Sequence, residues 1–132
     1  MSPNRPFRIL FADDEPWLSV ALRLSLEGRG YECISKETAS DAWRVFEQEK
    51  IDVVVTDVMM PGGDLFAEID SEETGFEFVR RIRQRWRDQA VICLSVIADS
   101  EKIQSLKRQN VLYLRKGETP LEPVMHFSLW KI

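Results

Sequence analysis

Histidine occurs once in this chain and cysteine twice, so there is little material for a centre of clustered imidazoles or thiolates. Cys33 and Cys93 are too few and too far apart in sequence for a metal cluster, and His126 has no acid or cysteine cluster beside it. Basic residues are not in excess either. Eighteen Lys and Arg stand against 22 Asp and Glu, and the net charge of -4 argues against nonspecific nucleic-acid binding. No apolar run approaches the roughly 20 residues that cross a bilayer, so no membrane segment is expected. The start, Met1-Ser2-Pro3-Asn4-Arg5-Pro6, lacks the apolar core of a secretory signal, which points to a cytoplasmic location. A Ser/Thr/Gly-rich phosphate loop is missing after the first apolar run, which disfavours a flavin site. Repeats, low-complexity tracts and linkers are absent as well. The 132 residues suit one domain, 1–132, with 1–6 as a disordered tail and a core that needs no disulfide or metal.

What the chain does have is a regular alternation of strand-like runs and helix-like stripes. Strands are expected at about 8–12, 31–35, 51–56, 90–95 and 111–115. Leu18, Ala21, Leu22 and Ser25 form a first helical stripe, stopped by Gly28 and Gly30. Ala39, Ala42, Trp43 and Phe46 form a second behind the candidate caps Thr38 and Ser40. Phe76, Val79, Ile82 and Trp86 form a third, a short helix is expected from Asp99 or Ser100 to Arg108, and Leu121, Met125, Leu129 and Ile132 give the last. Strands alternating with helices imply an α/β fold, a doubly wound parallel sheet with helices on both faces. One stretch breaks the rhythm. Residues 62–74 carry Asp64, Glu68, Asp70, Glu72 and Glu73 with no basic residue, an acidic loop expected to be mobile unless Leu65, Phe66 and Ile69 pack. Arg80, Arg81 and Arg83, just beyond it, are candidates to neutralise its charge.

The run Ile51-Asp52-Val53-Val54-Val55-Thr56 reads as a strand buried on both faces, so Asp57 emerges at the carboxyl edge of the sheet, where open α/β sheets bind ligands. Asp13 and Asp14 follow the first strand, Arg8-Ile9-Leu10-Phe11-Ala12, at the same edge. Three acids brought to one point repel each other unless a cation lies among them. Taken singly, each candidate has a plainer reading. Asp13 and Asp14 before Glu15-Pro16 could cap the first helix, and Asp57 could be a turn acid. Ser95 could be a strand-end hydroxyl, Lys116 a solvated lysine and Tyr113 a half-buried edge tyrosine. Their convergence on one edge favours chemistry.

These residues resemble the receiver domains of two-component response regulators. Ile9-Leu10-Phe11-Ala12-Asp13-Asp14-Glu15 is similar to that family's acidic pair, and Asp57-Val58-Met59-Met60-Pro61-Gly62 to its phosphoacceptor segment. Ser95 resembles the hydroxyl residue of strand four, Lys116 the lysine after strand five, and Tyr113 the aromatic switch position. The resemblance implies a flavodoxin-like (βα)5 fold with strand order 2-1-3-4-5. In that order the two cysteines lie three strands apart, about 14 Å at ~4.8 Å per step, beyond the ~7 Å a disulfide allows. They are expected to be buried thiols of a reducing compartment.

The resemblance also implies a phosphoacceptor signalling domain, an enzyme only toward its own phosphorylation and dephosphorylation. A carboxylate attacking a dianionic phosphoryl donor needs positive charge beside it, and Mg2+ suits because it takes hard oxygen ligands. Asp14 is assigned as a direct ligand, Asp13 as a direct or water-mediated one, Asp57 as ligand and nucleophile, and the Met59 carbonyl as the backbone ligand. Lys116 is a fixed cation on the transferring group, and Ser95 offers a hydroxyl to a phosphoryl oxygen. Ser95 and Tyr113 form the switch. The implied partners are a sensor histidine kinase or histidine phosphotransfer protein, a downstream protein effector and a phosphorylation-dependent second copy, with no direct contact to nucleic acid or membrane.

Departures from the family pattern bear on mechanism. Gly117 stands where the family has proline after a cis bond, and cis before a non-proline costs about 3–4 kcal/mol against about 0.5–1 before proline, so Lys116-Gly117 is expected to be trans. Met59 and Ile97 occupy positions that help to place the hydrolytic water in the family, and neither hydrogen-bonds water effectively. With nothing attached after Ile132, output is expected through protein contacts, unless the sequence is a piece of a longer chain. A degenerate receiver acting as a phosphorylation-independent interaction module is the alternative. A phosphatase of the haloacid dehalogenase type would want a second Asp where Met59 stands.

Overall fold

Runs of four to six residues separated by amphipathic stretches fold into strands that alternate with covering helices. A computed structural model describes residues 6–15, 20–95 and 100–115, with only the backbone at Ser95. These contain β1 (Arg8–Ala12), α1 (Val20–Gly28), β2 (Glu32–Lys36), α2 (Ala39–Gln48), β3 (Val53–Asp57), α3 (Thr74–Arg85), β4 (Ala90–Ser95), α4 (Ser100–Arg108) and β5 (Leu112–Arg115). A 3-10 turn, Asp64–Phe66, interrupts the path from β3 to α3. All strand pairs are parallel and the order is β2-β1-β3-β4-β5, the expected doubly wound, flavodoxin-like sheet.

Side chains alternate across the pleat, which divides the core in two. Leu10, Ala12, Val54, Val91 and Cys93 face a cluster with Phe46 of α2 and with Phe78 and Ile82 of α3. Ile9, Phe11, Val53, Val55 and Ile92 face the other side with Leu26 of α1. As the central strand, β3 is buried at every residue. Trp43 and Trp86, half-buried, meet edge to face at 5.8 Å and pack with Phe46 between α2 and α3, covering core as expected.

Local chemistry sets the boundaries. The Thr38 hydroxyl accepts from the Asp41 N–H at 3.1 Å and caps α2. At the end of α4, Asn110 takes a positive φ of 58°, and the Val111 N–H returns to the Leu106 carbonyl at 3.0 Å. Strand β3 runs from Val53 to Asp57 rather than 51–56, so Asp57 ends the strand instead of following it. The reason is visible at Asp52, whose carboxylate accepts the Arg8 N–H at 2.8 Å and whose N–H donates to the Arg8 carbonyl. Both cysteines are free thiols; Cys93 is buried, whereas Cys33 is only half-buried, with burial and the nearby Glu27 pushing its pKa up to about 11. The expected last helix, Trp17, Ile97, Lys116, Gly117, His126 and Trp130 lie outside the described residues.

Candidate functional site

Parallel pairing of β1 with β3 brings three acids to one edge, because Asp13 follows the last residue of β1 and Asp57 is the last of β3. Carboxylate oxygens of Asp13, Asp14 and Asp57 lie within 4.8 Å of one another. Asp13 and Asp57 are buried, at 6% and 8% exposure, while Asp14 is exposed. At this separation, like charges cost about 3 kcal/mol per pair for an effective dielectric constant of about 20, less where Asp14 meets solvent. A cation relieves that cost. The donors are all hard oxygens, with neither imidazole nor thiolate in the cluster, and that set fits Mg2+.

Backbone groups hold each acid. The Asp13 N–H donates to the Lys36 carbonyl at 3.0 Å, continuing the β1–β2 ladder, and Asp13 Oδ1 accepts the Glu15 N–H at 2.8 Å. Asp57 Oδ1 accepts the Val58 N–H at 2.7 Å and the Met59 N–H at 3.4 Å. The Thr56 hydroxyl donates to the Asp57 carbonyl at 2.9 Å. Met59 thus meets the acid cluster through its backbone N–H, and the residue is 37% exposed.

The remaining candidates occupy the two neighbouring strands. Asp57 is level with Leu94 of β4, so Ser95, the last residue of that strand, lies one step beyond it and pairs with Arg115. Tyr113 pairs with Cys93 and is half-buried against the larger core cluster. Lys116 follows the last described residue of β5.

The acidic segment is fastened to three helices. Phe66 is fully buried, with the Arg81 guanidinium 4.0 Å from its ring centre, and Ile69 packs against the core, while Leu65 stays 40% exposed. The Ser40 hydroxyl donates to the Gly62 carbonyl at 2.6 Å and accepts the Leu65 N–H at 2.8 Å. The Ala39 and Ser40 N–H groups, which open α2, donate to the Pro61 and Gly62 carbonyls. Charge is neutralised differently from the sequence expectation. Arg44 of α2 pairs with Asp64, and Lys102 of α4 pairs with Glu73. Arg80 and Arg81 instead pair with Glu77, and Arg83 donates to the Gln109 and Asn110 carbonyls. The Arg44 guanidinium holds the Asp64 carboxyl below its usual range, and hydrogen bonds from Arg80 and then Arg81 do the same for Glu77.

Sequence reasoning overlooked Gly75, whose N–H donates to the Val58 carbonyl at 2.8 Å. A signal was present, since glycine is a poor choice in the first turn of a helix unless something approaches closely.

A parallel sheet with three acids at its carboxyl edge defines a class of signalling module. The family model described as "Response regulator receiver domain" matches residues 9–122, and the chain belongs to that family. Its members are signalling domains rather than classical enzymes, and they typically bind Mg2+ in an acidic pocket like this one. The chain is 31% identical over 116 residues to the response regulator GtcR of Aneurinibacillus migulanus, covering 88% of this chain and 44% of that protein. It is 30% identical over 122 residues to the phosphate regulon transcriptional regulatory protein PhoB of Pseudomonas aeruginosa, covering 88% and 48%. It therefore spans less than half the length of these curated relatives. A CheY-like receiver domain structure from Methanospirillum hungatei matches with a TM-score of 0.79 at 20% identity, covering 96% of each chain, a likeness of fold. Among the described residues, no helix is long and apolar enough to cross a membrane.

Proposed function

We propose that Asp57 accepts a phosphoryl group from a sensor histidine kinase or histidine phosphotransfer protein, and that the phosphorylated domain, one unit over residues 1–132, presents an altered surface to a protein effector or a second copy. The observation that carries this reading is the convergence of the Asp13, Asp14 and Asp57 carboxylates within 4.8 Å. Asp13, Asp14, Asp57 and the Met59 carbonyl would hold Mg2+, whose chemistry there is to offset the charge of the incoming phosphoryl group. A carboxylate oxygen of Asp57 forms the new O–P bond as the donor's P–N bond breaks, and the electron pair leaves with the imidazole nitrogen, which takes a proton. The Val58 and Met59 N–H groups keep the carboxylate oriented for that attack. Lys116 serves as a fixed cation on the transferring group. Ser95 turns its hydroxyl to the bound phosphoryl oxygens, and Tyr113 follows. All of this belongs to the cytoplasm.

Intact-mass measurement after incubation with Mg2+ and phosphoramidate tests the reading: one adduct is expected, absent without Mg2+ and absent in Asp57→Ala. An adduct at full yield in Asp57→Ala overturns the assignment, and a folded protein that takes none is a phosphorylation-independent binding module. Met59 has an apolar side chain that cannot orient a water by hydrogen bonding, so the acyl phosphate is expected to decay slowly. Met59→Asn should speed decay by placing a water, about tenfold for each 1.4 kcal/mol of barrier removed. Unchanged or slower decay in that variant removes water placement from the role of this position.

A further inference from the structure

Helix α3 enters the phosphoacceptor site through a residue with no side chain. Gly75 is buried in the first turn of α3, and its N–H donates to the Val58 carbonyl at 2.8 Å. Val58, itself fully buried, gives its own N–H to Asp57 Oδ1 at 2.7 Å. The residue after the phosphoacceptor is therefore gripped at both ends, by the helix on one side and by the carboxylate on the other. A Cβ on Gly75 would stand 2.2 Å from the Asp57 carbonyl oxygen, 2.5 Å from Val58 Cα and 2.8 Å from the Val58 carbonyl oxygen. All three are backbone atoms, so no side-chain rotation relieves the overlap. Either α3 or the Asp57–Val58 peptide must move.

The helix resists such a movement. Phe78, Val79 and Ile82 of α3 are fully buried in the larger core cluster. Its outer surface is tied as well, since Arg81 donates to the Leu65 carbonyl at 2.8 Å and Arg83 to the Gln109 carbonyl at 2.6 Å. Displacement therefore falls on the strand end, where the Asp57 carboxylate takes its direction from the Val58 N–H.

We propose that Gly75 is a positioning residue for the phosphoacceptor, setting the Asp57 carboxylate against the other acids through Val58. The proposal rests on the reading of Asp57 as phosphoacceptor. Leu26 supplies the comparison, because it is fully buried in α1 within the other core cluster, across the sheet from α3 and outside the phosphoacceptor segment.

The experiment compares the native protein, Gly75→Ala and Leu26→Ala in three measurements: thermal stability, Mg2+ half-saturation, and initial rate of phosphorylation by phosphoramidate. A misplacement of the reacting group by a fraction of an ångström to one ångström costs about 10–100-fold. Gly75→Ala is expected to lose rate on that scale and to need more Mg2+, whereas Leu26→Ala, with its own fall in melting temperature, keeps its rate within about twofold. Native-like rate in Gly75→Ala overturns the proposal, and so does an equal loss in Leu26→Ala. If Gly75→Ala does not fold, the native protein decides. The Gly75 amide resonance should shift with Val58 during a Mg2+ titration while that of Leu26 stays, and an unmoved Gly75 overturns the inference. Absence of a phospho-adduct on Asp57 in the native protein is a different failure, that of the underlying reading, and takes this one with it.

Discussion

Two connections leave the acid-bearing edge of the sheet, and they are built differently. After β1, the acids are held by nearby backbone: Asp13 Oδ1 by the N–H of Glu15, and the Asp13 N–H by Lys36 of the adjacent strand. After β3, the chain takes a long path to Thr74 that is fastened from α2 by Ser40 and Arg44, from α3 by Arg81, and from α4 by Lys102. One side presents charge, with Asp14 in solvent; the other fixes the proposed phosphoacceptor, with Asp57 buried and its carboxylate directed by two amides. Charge acts over several ångströms and tolerates loose placement, whereas forming a bond to phosphorus requires a defined approach. The connection fastened from three helices stands beside the carboxylate proposed to react.

The largest break in this comparison is expected at Phe66. Its ring is fully buried, stacked under Arg81 at 4.0 Å and set edge to face with Phe78 at 6.2 Å. Truncation to alanine should cost about 3–5 kcal/mol by denaturant unfolding. Amide exchange over residues 62–74 should accelerate in the same variant. A loss below about 1 kcal/mol would mean that the segment is not held by its core contact and would erase the difference between the two connections.

Asp14 sharpens the other side. Exposed and surrounded by like charge, it should contribute to ion binding and little to folding. Asp14→Ala is expected to weaken Mg2+ affinity by about tenfold or more, some 1.4 kcal/mol, while unfolding stability stays level or rises as repulsion is relieved. Titration calorimetry with a parallel melting curve separates the two. Unchanged affinity removes Asp14 from the site, and a stability loss like that of Phe66→Ala makes it a structural acid.

Much of this contrast was legible in the residue string, and the part that was not has a physical reason. Continuous apolar runs located β1 and β4 to the residue, and the carboxyl ends of the strands carried the acids. The order of the strands came from the resemblance to a family rather than from periodicity. What periodicity could not supply was partnership across the fold. Arg44 and Lys102 lie 20 and 29 positions from the acids they meet, so the nearer Arg80 and Arg81 looked like better partners. Mobility of residues 62–74 depended on whether three apolar side chains packed; Phe66 and Ile69 do and Leu65 does not, a matter of which way a 3-10 turn faces. Gly75 escaped notice because a contact made by the absence of a side chain leaves no pattern of its own.

The smallest expected effect belongs to Glu77, which ties two of these arginines together. Its carboxylate accepts from Arg80 Nε at 2.8 Å and Arg81 Nε at 3.1 Å, and its side chain is 18% exposed. Arg81 in turn donates to the Leu65 carbonyl and stacks on Phe66, so Glu77 braces the longer connection indirectly. The hydrogen bond from Arg80, then that from Arg81, lowers the Glu77 pKa in the folded protein. A carboxylate depressed on folding stabilises above its unfolded pKa and loses that stabilisation as pH falls through the folded value. Glu77→Gln should therefore cost about 0.5–1 kcal/mol at neutral pH, the scale of a partly exposed pair. The gap between native and variant should close as the solution is acidified past the ordinary glutamate range. Denaturation curves at several pH values provide the check. A gap that persists unchanged in acid would assign the contribution of Glu77 to packing rather than to charge, and would leave Arg81 to hold the segment through its carbonyl bond and its ring contact alone.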